Sequence, residues 1–310
     1  MFFPEGYLLK TDKNLNYISN IEGLEKAMHD DAIVEAPAIM CDHKLNLYVN
    51  LGAGIRGIIN KEDISYSFAG EEIKDIAILT RVGKAVAFKV ISLEKTSTGE
   101  IIALLSRKAA QVDCYKNYIS HLIPGDIIPT CITHTENFGA FVDIGCGIIS
   151  LLSIDCISVS RISHPNDRLK IGDQIYSVVK EIDGNGRIFV TERELLGSWE
   201  ENASFFNEGE TVCGIVRSIE NYGIFIELKP NLAGLAEYKE NLSVGQSVTV
   251  YIKSIIPSKM KIKLIIIDTY SKKLVDTSLE YFIDPLKIKH LDFWQYSPSS
   301  CQKNIQSNFV

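Results

Sequence analysis

The sequence predicts an all-β-dominated fold of tandem five-stranded barrels joined by short helices. Three observations lead there. The chain repeats itself: "GDIIPTCITHTENFGAFVDIG" from Gly125 aligns without a gap on "GETVCGIVRSIENYGIFIELK" from Gly209. The offset of 84 residues places Phe138 on Tyr222, Gly139 on Gly223 and Phe141 on Phe225. Within each copy the apolar residues mostly alternate, as in "GAFVDIG" and "TVYIKSI", which is the period of a half-buried strand. Gly, Pro, Asn and Asp interrupt those runs at short intervals. The result is about five short strands in ~70 residues, the content of a small closed barrel of the OB type.

Residues 1–110 hold an N-terminal extension and the weakest copy of the repeat. In the extension, Ser19 and Glu22 of "SNIEGLEKAMHD" stand in the capping-box relation that starts a helix. In the copy, "LYVNLGAGIRGIINKEDI" matches "AFVDIGCGIISLLSIDCI", but Leu45 and Asn46 replace Phe138 and Gly139, and Tyr48 keeps the place of Phe141. The string "GAGIRG" fits a dinucleotide-binding glycine pattern, yet that pattern requires a long helix to follow. The aligned "GCGIIS" favours a strand-to-strand turn instead. A linker helix is expected at 111–124, from "SRKAAQVDCYKNYISHL" up to Pro124, and the second barrel at 125–196. A second linker helix follows at 197–207, where Ser198 and Glu201 form a capping box. The third barrel spans 208–268. Its "LSVGQSVTVYIKSI" aligns with "LKIGDQIYSVVKEI" at an offset of 73 instead of 84, so the third copy lacks an 11-residue stretch of the loop "ISVSRISHPNDR". In the C-terminal extension, 269–310, Trp294, Tyr296 and Pro298 are expected to dock within the chain.

Composition excludes several functions. An apolar fraction of 46% fits a globular chain. No apolar run approaches the roughly 18 residues of a membrane-spanning helix, and the N-terminus lacks the basic start and apolar stretch of a signal peptide. Seven cysteines without a CxxC pair fit reduced thiols in a cytoplasmic protein. Cys131 and His134 form a CxxH, but the second close pair that a zinc site uses is missing, so neither a metal nor a cofactor is expected. No nucleophile elbow, paired catalytic carboxylates or HExxH occurs, so the expectation is a non-enzyme without a small-molecule substrate or a membrane partner.

The strings "GDIIPTCITHTENFGAFVDIG", "LKIGDQIYSVVKEIDGNGRIFVT" and "LLSRKAAQ" resemble the OB-fold RNA-binding domain named after bacterial ribosomal protein S-one. The resemblance covers roughly residues 30–268, and the chain looks like a short, multi-domain member of that family. It implies single-stranded RNA as the partner, mRNA near the small ribosomal subunit. It further implies RNA-facing positions at both aromatics, at a histidine in the next strand, and at an aspartate with an arginine four residues on. In the second copy these are Phe138, Phe141, Ser153, Asp183 and Arg187, with Ser153 replacing the histidine and removing one stacking group. In the third copy they are Tyr222, Phe225, Glu237, Ile256 and, allowing one inserted residue, Lys261. In the first, Tyr48 remains, with Asn60 at the histidine position. The resemblance therefore implies a gradient, with the second barrel the best reader, the third next and the first a structural or docking module.

Physical reasoning supports this assignment and also constrains it. Single-stranded RNA is held by stacking bases on exposed rings with cations nearby. Phe138 and Phe141 are three apart, so strict alternation would send them to opposite faces. A turn or bulge at Gly139 would bring both to one side; otherwise one ring is core and the other surface. The net charge is −7; residues 125–196 carry six basic against ten acidic side chains, and 208–268 carry seven of each. Affinity should then be modest, carried by stacking and raised by linking barrels in tandem. The acidic balance also fits an alternative, a protein–protein adaptor docking on the ribosome or on an RNA-processing machine.

Overall fold

The computed structural model describes residues 2–66, 74–97, 99–270 and 279–309. Residues 271–278, at the start of the C-terminal extension, lie outside them. The chain divides into two compact units, Met1–Leu122 with Pro129–Cys131 and Asp143–Ile149, and Ile123–Ile128 with Ile132–Val142 and Ser150–Val310.

The N-terminal elements are α1 (Asp12–Ile18) and α2 (Ile21–His29). Ser19 does not start α2. It closes α1, its Oγ donating to the Asn16 carbonyl, and the cap passes to extended Asn20, whose Oδ1 accepts from Gly23 N at 2.8 Å. The first barrel follows as β1 (Val34–Cys41), β2 (Leu47–Asn50), β3 (Arg56–Ile59), β4 (Ala85–Lys95) and β5 (Ile101–Ser106), with α3 (Asp75–Leu79) between β3 and β4. The strands close in the order β1-β2-β3-β5-β4, the β3–β5 pair parallel. The first two "GAGIRG" glycines make a single helical turn, Gly52–Gly54, and the third, Gly57, lies in the strand that follows. Leu24 and Ala27 of α2 pack into this barrel's core beside Val34, Leu47 and Phe88. Helix α4 (Arg107–Asn117) opens directly from β5 because Ser106 accepts from Ala109 N at 3.0 Å. It places Arg107, fully buried, on the Glu5 carboxylate at 2.6 Å.

The second barrel comprises β6 (Ile127–Glu136), β7 (Gly139–Asp143), β8 (Ile149–Ser153), β9 (Gln174–Ile182) and β10 (Ile188–Thr191), with α5 (Ile154–Ile157) after β8. Helix α6 (Trp199–Ala203) leads into the third barrel, β11 (Thr211–Glu220), β12 (Gly223–Lys229), β13 (Leu232–Ala236), β14 (Ser247–Ile256) and β15 (Lys261–Tyr270). Both close with the topology of the first. The Ser198–Glu201 capping box forms as expected, and Trp199 and Ala203 of α6 enter the third barrel's core. The tail docks on the same core. Trp294 and Tyr296 are buried there, Trp199 N donates to the Tyr296 carbonyl at 2.9 Å, and β16 (Phe293–Gln295) pairs with β17 (Gln306–Asn308).

The loop that the third copy lacks joins the second barrel to the third. Its Arg168, without side-chain exposure, grips Glu227 of β12 through two hydrogen bonds of 3.1 and 2.7 Å. Arg217 of β11 takes the same carboxylate at 2.9 and 3.1 Å. A buried acid shared by two guanidiniums is well satisfied in place and costly to break. Nearby, Asn231 accepts from Val159 N and donates to the Arg193 and Gly197 carbonyls, adding neutral bonds to the same junction.

Candidate nucleic-acid interface

In the second barrel β6 ends at Glu136, Asn137 and Phe138 make a tight turn, and β7 resumes at Gly139. The turn carries Phe138 out to 56% exposure. Phe141 stands outward between buried Ala140 and Val142, as alternation requires. The two rings meet edge to face, centroids 6.0 Å apart at 88°. The glycine's role is close approach: a Cβ at Gly139 would stand 2.5 Å from the Leu152 carbonyl oxygen at the end of β8. The third barrel repeats this arrangement. Tyr222 is 70% exposed, its ring lies 6.2 Å from that of Phe225 at 87°, and a Cβ at Gly223 would meet the Ala236 carbonyl oxygen at 2.5 Å.

The sheet registers extend each pair into a row, because residues facing across a ladder share a face. In the third barrel Ser218, Phe225, Leu235, Lys263 and Ser254 lie side by side across all five strands. In the second, Leu151 faces Phe189, and Phe189 faces Glu181. Phe189 is half-buried between buried Ile188 and Val190, so it too faces outward. His134 on β6 stacks on Phe141 at 6.1 Å and 24°, its Nε2 held 2.7 Å from Glu136. Sequence reasoning misses both His134 and Phe189. It places His134 only in a CxxH, and Phe189 stands in a strand whose partner only the register names.

The remaining predicted positions are distributed as follows. Ser153 ends β8 at the residue before α5, without a side-chain hydrogen bond to that helix, and its backbone is pressed against Gly139. Asp183 acts in the β9–β10 hairpin, its Oδ1 accepting from Asn185 N and Arg187 N at 2.8 Å each. Arg187 lies at the mouth of that hairpin, exposed. In the third barrel Glu237 is exposed just past β13, and Ile256 pairs with Lys261 at the base of the β14–β15 hairpin. In the first barrel Leu45, in a left-handed conformation with φ 66°, packs against the core where Phe138 would project. Tyr48 donates its hydroxyl to Asp42 at 3.4 Å. Hydrogen bonds from the Asn46 and Lys44 backbone amides hold the Asp42 carboxyl below its ordinary range.

Known proteins resemble this chain in one barrel most clearly. The S1 RNA binding domain matches residues 122–193, the span of the second barrel and its approach. The match covers that segment and not the rest of the chain. Along more of its length it is similar to the protein named small ribosomal subunit protein bS1 in three bacteria. It is 28% identical to that of Staphylococcus haemolyticus, covering 86% of this chain and 67% of the relative. Against Staphylococcus saprophyticus the identity is 29%, covering 76% and 58%. Against Chlamydia muridarum it is 26%, covering 70% and 40%. The chain thus spans two thirds or less of most of these relatives' lengths. Among the described residues no helix is long and apolar enough to cross a membrane.

Proposed function

We propose that this S1-domain protein is a non-catalytic RNA-binding protein of the cytoplasm. It holds single-stranded RNA, mRNA at the small ribosomal subunit, by stacking bases on the outer rows of the second and third barrels. The observation that carries this reading is the aromatic pair built twice with one geometry, at the corresponding turn of the second and third barrels, with Phe138 and Tyr222 exposed and Phe141 and Phe225 half-buried beside them. Its first occurrence falls inside the segment that matches an RNA-binding family. Phe138, Phe141 and His134 offer ring faces in the second barrel, with Phe189 further along the row and Ser153, Asp183 and Arg187 at its margins. Tyr222 and Phe225 do the same in the third, with Lys261 and Lys263 as cations for phosphates. Tyr48 makes the weakest contribution, because its hydroxyl is engaged by its own turn.

Fluorescence anisotropy with single-stranded RNA tests this. Replacing Phe138 and Phe141 together with alanine should weaken binding by about 1–3 kcal/mol per lost stack. Absent binding in the wild type, or an unchanged affinity in the variant, rejects the stacking model. The net charge of −7 and the inward-packed Leu45 favour a second reading, an adaptor that docks protein to protein. Sedimentation with ribosomes that survives RNase would support the adaptor, and release by RNase would support RNA contact.

A further inference from the structure

Beside the aromatic turn of the second barrel lies a cavity of about 480 Å³. Its wall begins at Ile154, whose N–H donates to the Phe138 carbonyl at 2.9 Å. The far wall comes from the C-terminal extension, at Lys303 and Ile305. Three cationic side chains line it: Arg161 from the loop that the third copy lacks, Arg193 after β10, and Lys303. Arg161 and Lys303 are exposed, and among the described residues neither has an ion-pair partner. Arg193 is held in place, its Nε on Glu194 at 3.1 Å, its Nη2 on Ser307 Oγ and its Nη1 on the Asp155 carbonyl, each at 3.4 Å. Asp155 is an acidic side chain in the lining. In a barrel with more acids than bases this is a local excess of positive charge, and local charge governs binding of phosphates. The size is that of a small-ligand site.

We propose that this cavity is a phosphate subsite for the RNA backbone, completed by the C-terminal extension, which takes the phosphates next to the base stacked on Phe138. The inference rests on the RNA reading above. It joins the inserted loop and the tail in one role, since each supplies a cation to a strand leaving the aromatic turn.

The test is the salt dependence of RNA affinity in the full chain, with Arg161→Gln/Lys303→Gln beside Phe138→Ala/Phe141→Ala. Each phosphate neutralised on a single strand contributes about 0.7 to the slope of log K against log salt. The charge variant should lower that slope by about 1.4 and weaken binding about 25-fold at roughly 0.1 M salt, with unchanged thermal stability because both residues are exposed. The aromatic variant should weaken binding and leave the slope alone. An unchanged slope in the charge variant, with binding still lost in the aromatic one, overturns the subsite and leaves the stacking reading standing. Failure of both variants to alter binding overturns the RNA reading itself. Saturable binding of AMP alone, abolished by Arg161→Gln/Lys303→Gln, would reassign the cavity to free nucleotides and overturn the backbone assignment.

Discussion

The second and third barrels share a topology and an aromatic pair at one turn, yet the rows that extend those pairs differ. The second carries His134 stacked on Phe141, with Phe189 and Glu181 beyond Leu151. The third carries Ser218, Lys263 and Ser254 at the corresponding places. One row holds several rings, the other one ring pair with a cation beside it. Along these rows the difference lies in side chains that the ladder aligns; on the function proposed above, one row would serve stacking and the other would add phosphate neutralisation.

The largest effect on this pairing should come from the acid that joins the two barrels. Glu227→Ala leaves Arg168 and Arg217 buried without their carboxylate, and breaking such a group costs about 3–5 kcal/mol. Urea unfolding should register that loss, and small-angle scattering should show the two barrels no longer held as one body. Next come the glycines. Gly139→Val and Gly223→Val both drive a side chain into a backbone carbonyl, and overpacking of this kind costs about 1–3 kcal/mol. Equal losses in chemical denaturation would mean that the two turns are mechanically equivalent, leaving the outer rows as the source of any difference in affinity.

A smaller effect separates the barrels by pH. Burial pushes the Glu192 carboxyl up to about 8, although the Tyr281 hydroxyl bonded to it at 3.0 Å pulls the other way. The corresponding position of the third barrel is Ile266. Since the folded form holds the proton more tightly than the unfolded one, the stabilisation is complete below the ordinary carboxylate range. It is lost progressively as pH rises from there to about 8. Glu192→Gln should therefore flatten the fall in melting temperature between about pH 5 and 8. The smallest effect is on salt dependence. Lys263→Ala should lower the slope of log K against log salt by about 0.7, whereas Phe189→Ala should reduce affinity at constant slope.

Much of the fold is legible because repetition and alternation are local properties of a sequence. The offset of 84 residues locates both aromatic pairs, and Ser198 with Glu201 locates α6. The error at Ser19 is one residue long. Two helices meet there, and their shared corner gives Ser19 to the first and Asn20 to the second. His134 and Phe189 escape because membership in a row depends on which strand lies beside which, and β8 meets β10 in a parallel pair that no local pattern announces.

What this sequence determined by itself was the unit: three copies of one barrel, the glycine-flanked aromatic pair in two of them, and the copy that has lost it. Apolar period and glycine placement are sufficient for that, since each acts over a few residues. Tertiary structure alone decided the rest. The Arg168–Glu227 pair spans 59 residues, the bond that Val159 donates to Asn231 spans 72, and the tail reaches back to α6. Their energies come from burying charge and polar groups against distant partners, and such partners are chosen by the packing of whole barrels, which no short stretch of sequence encodes.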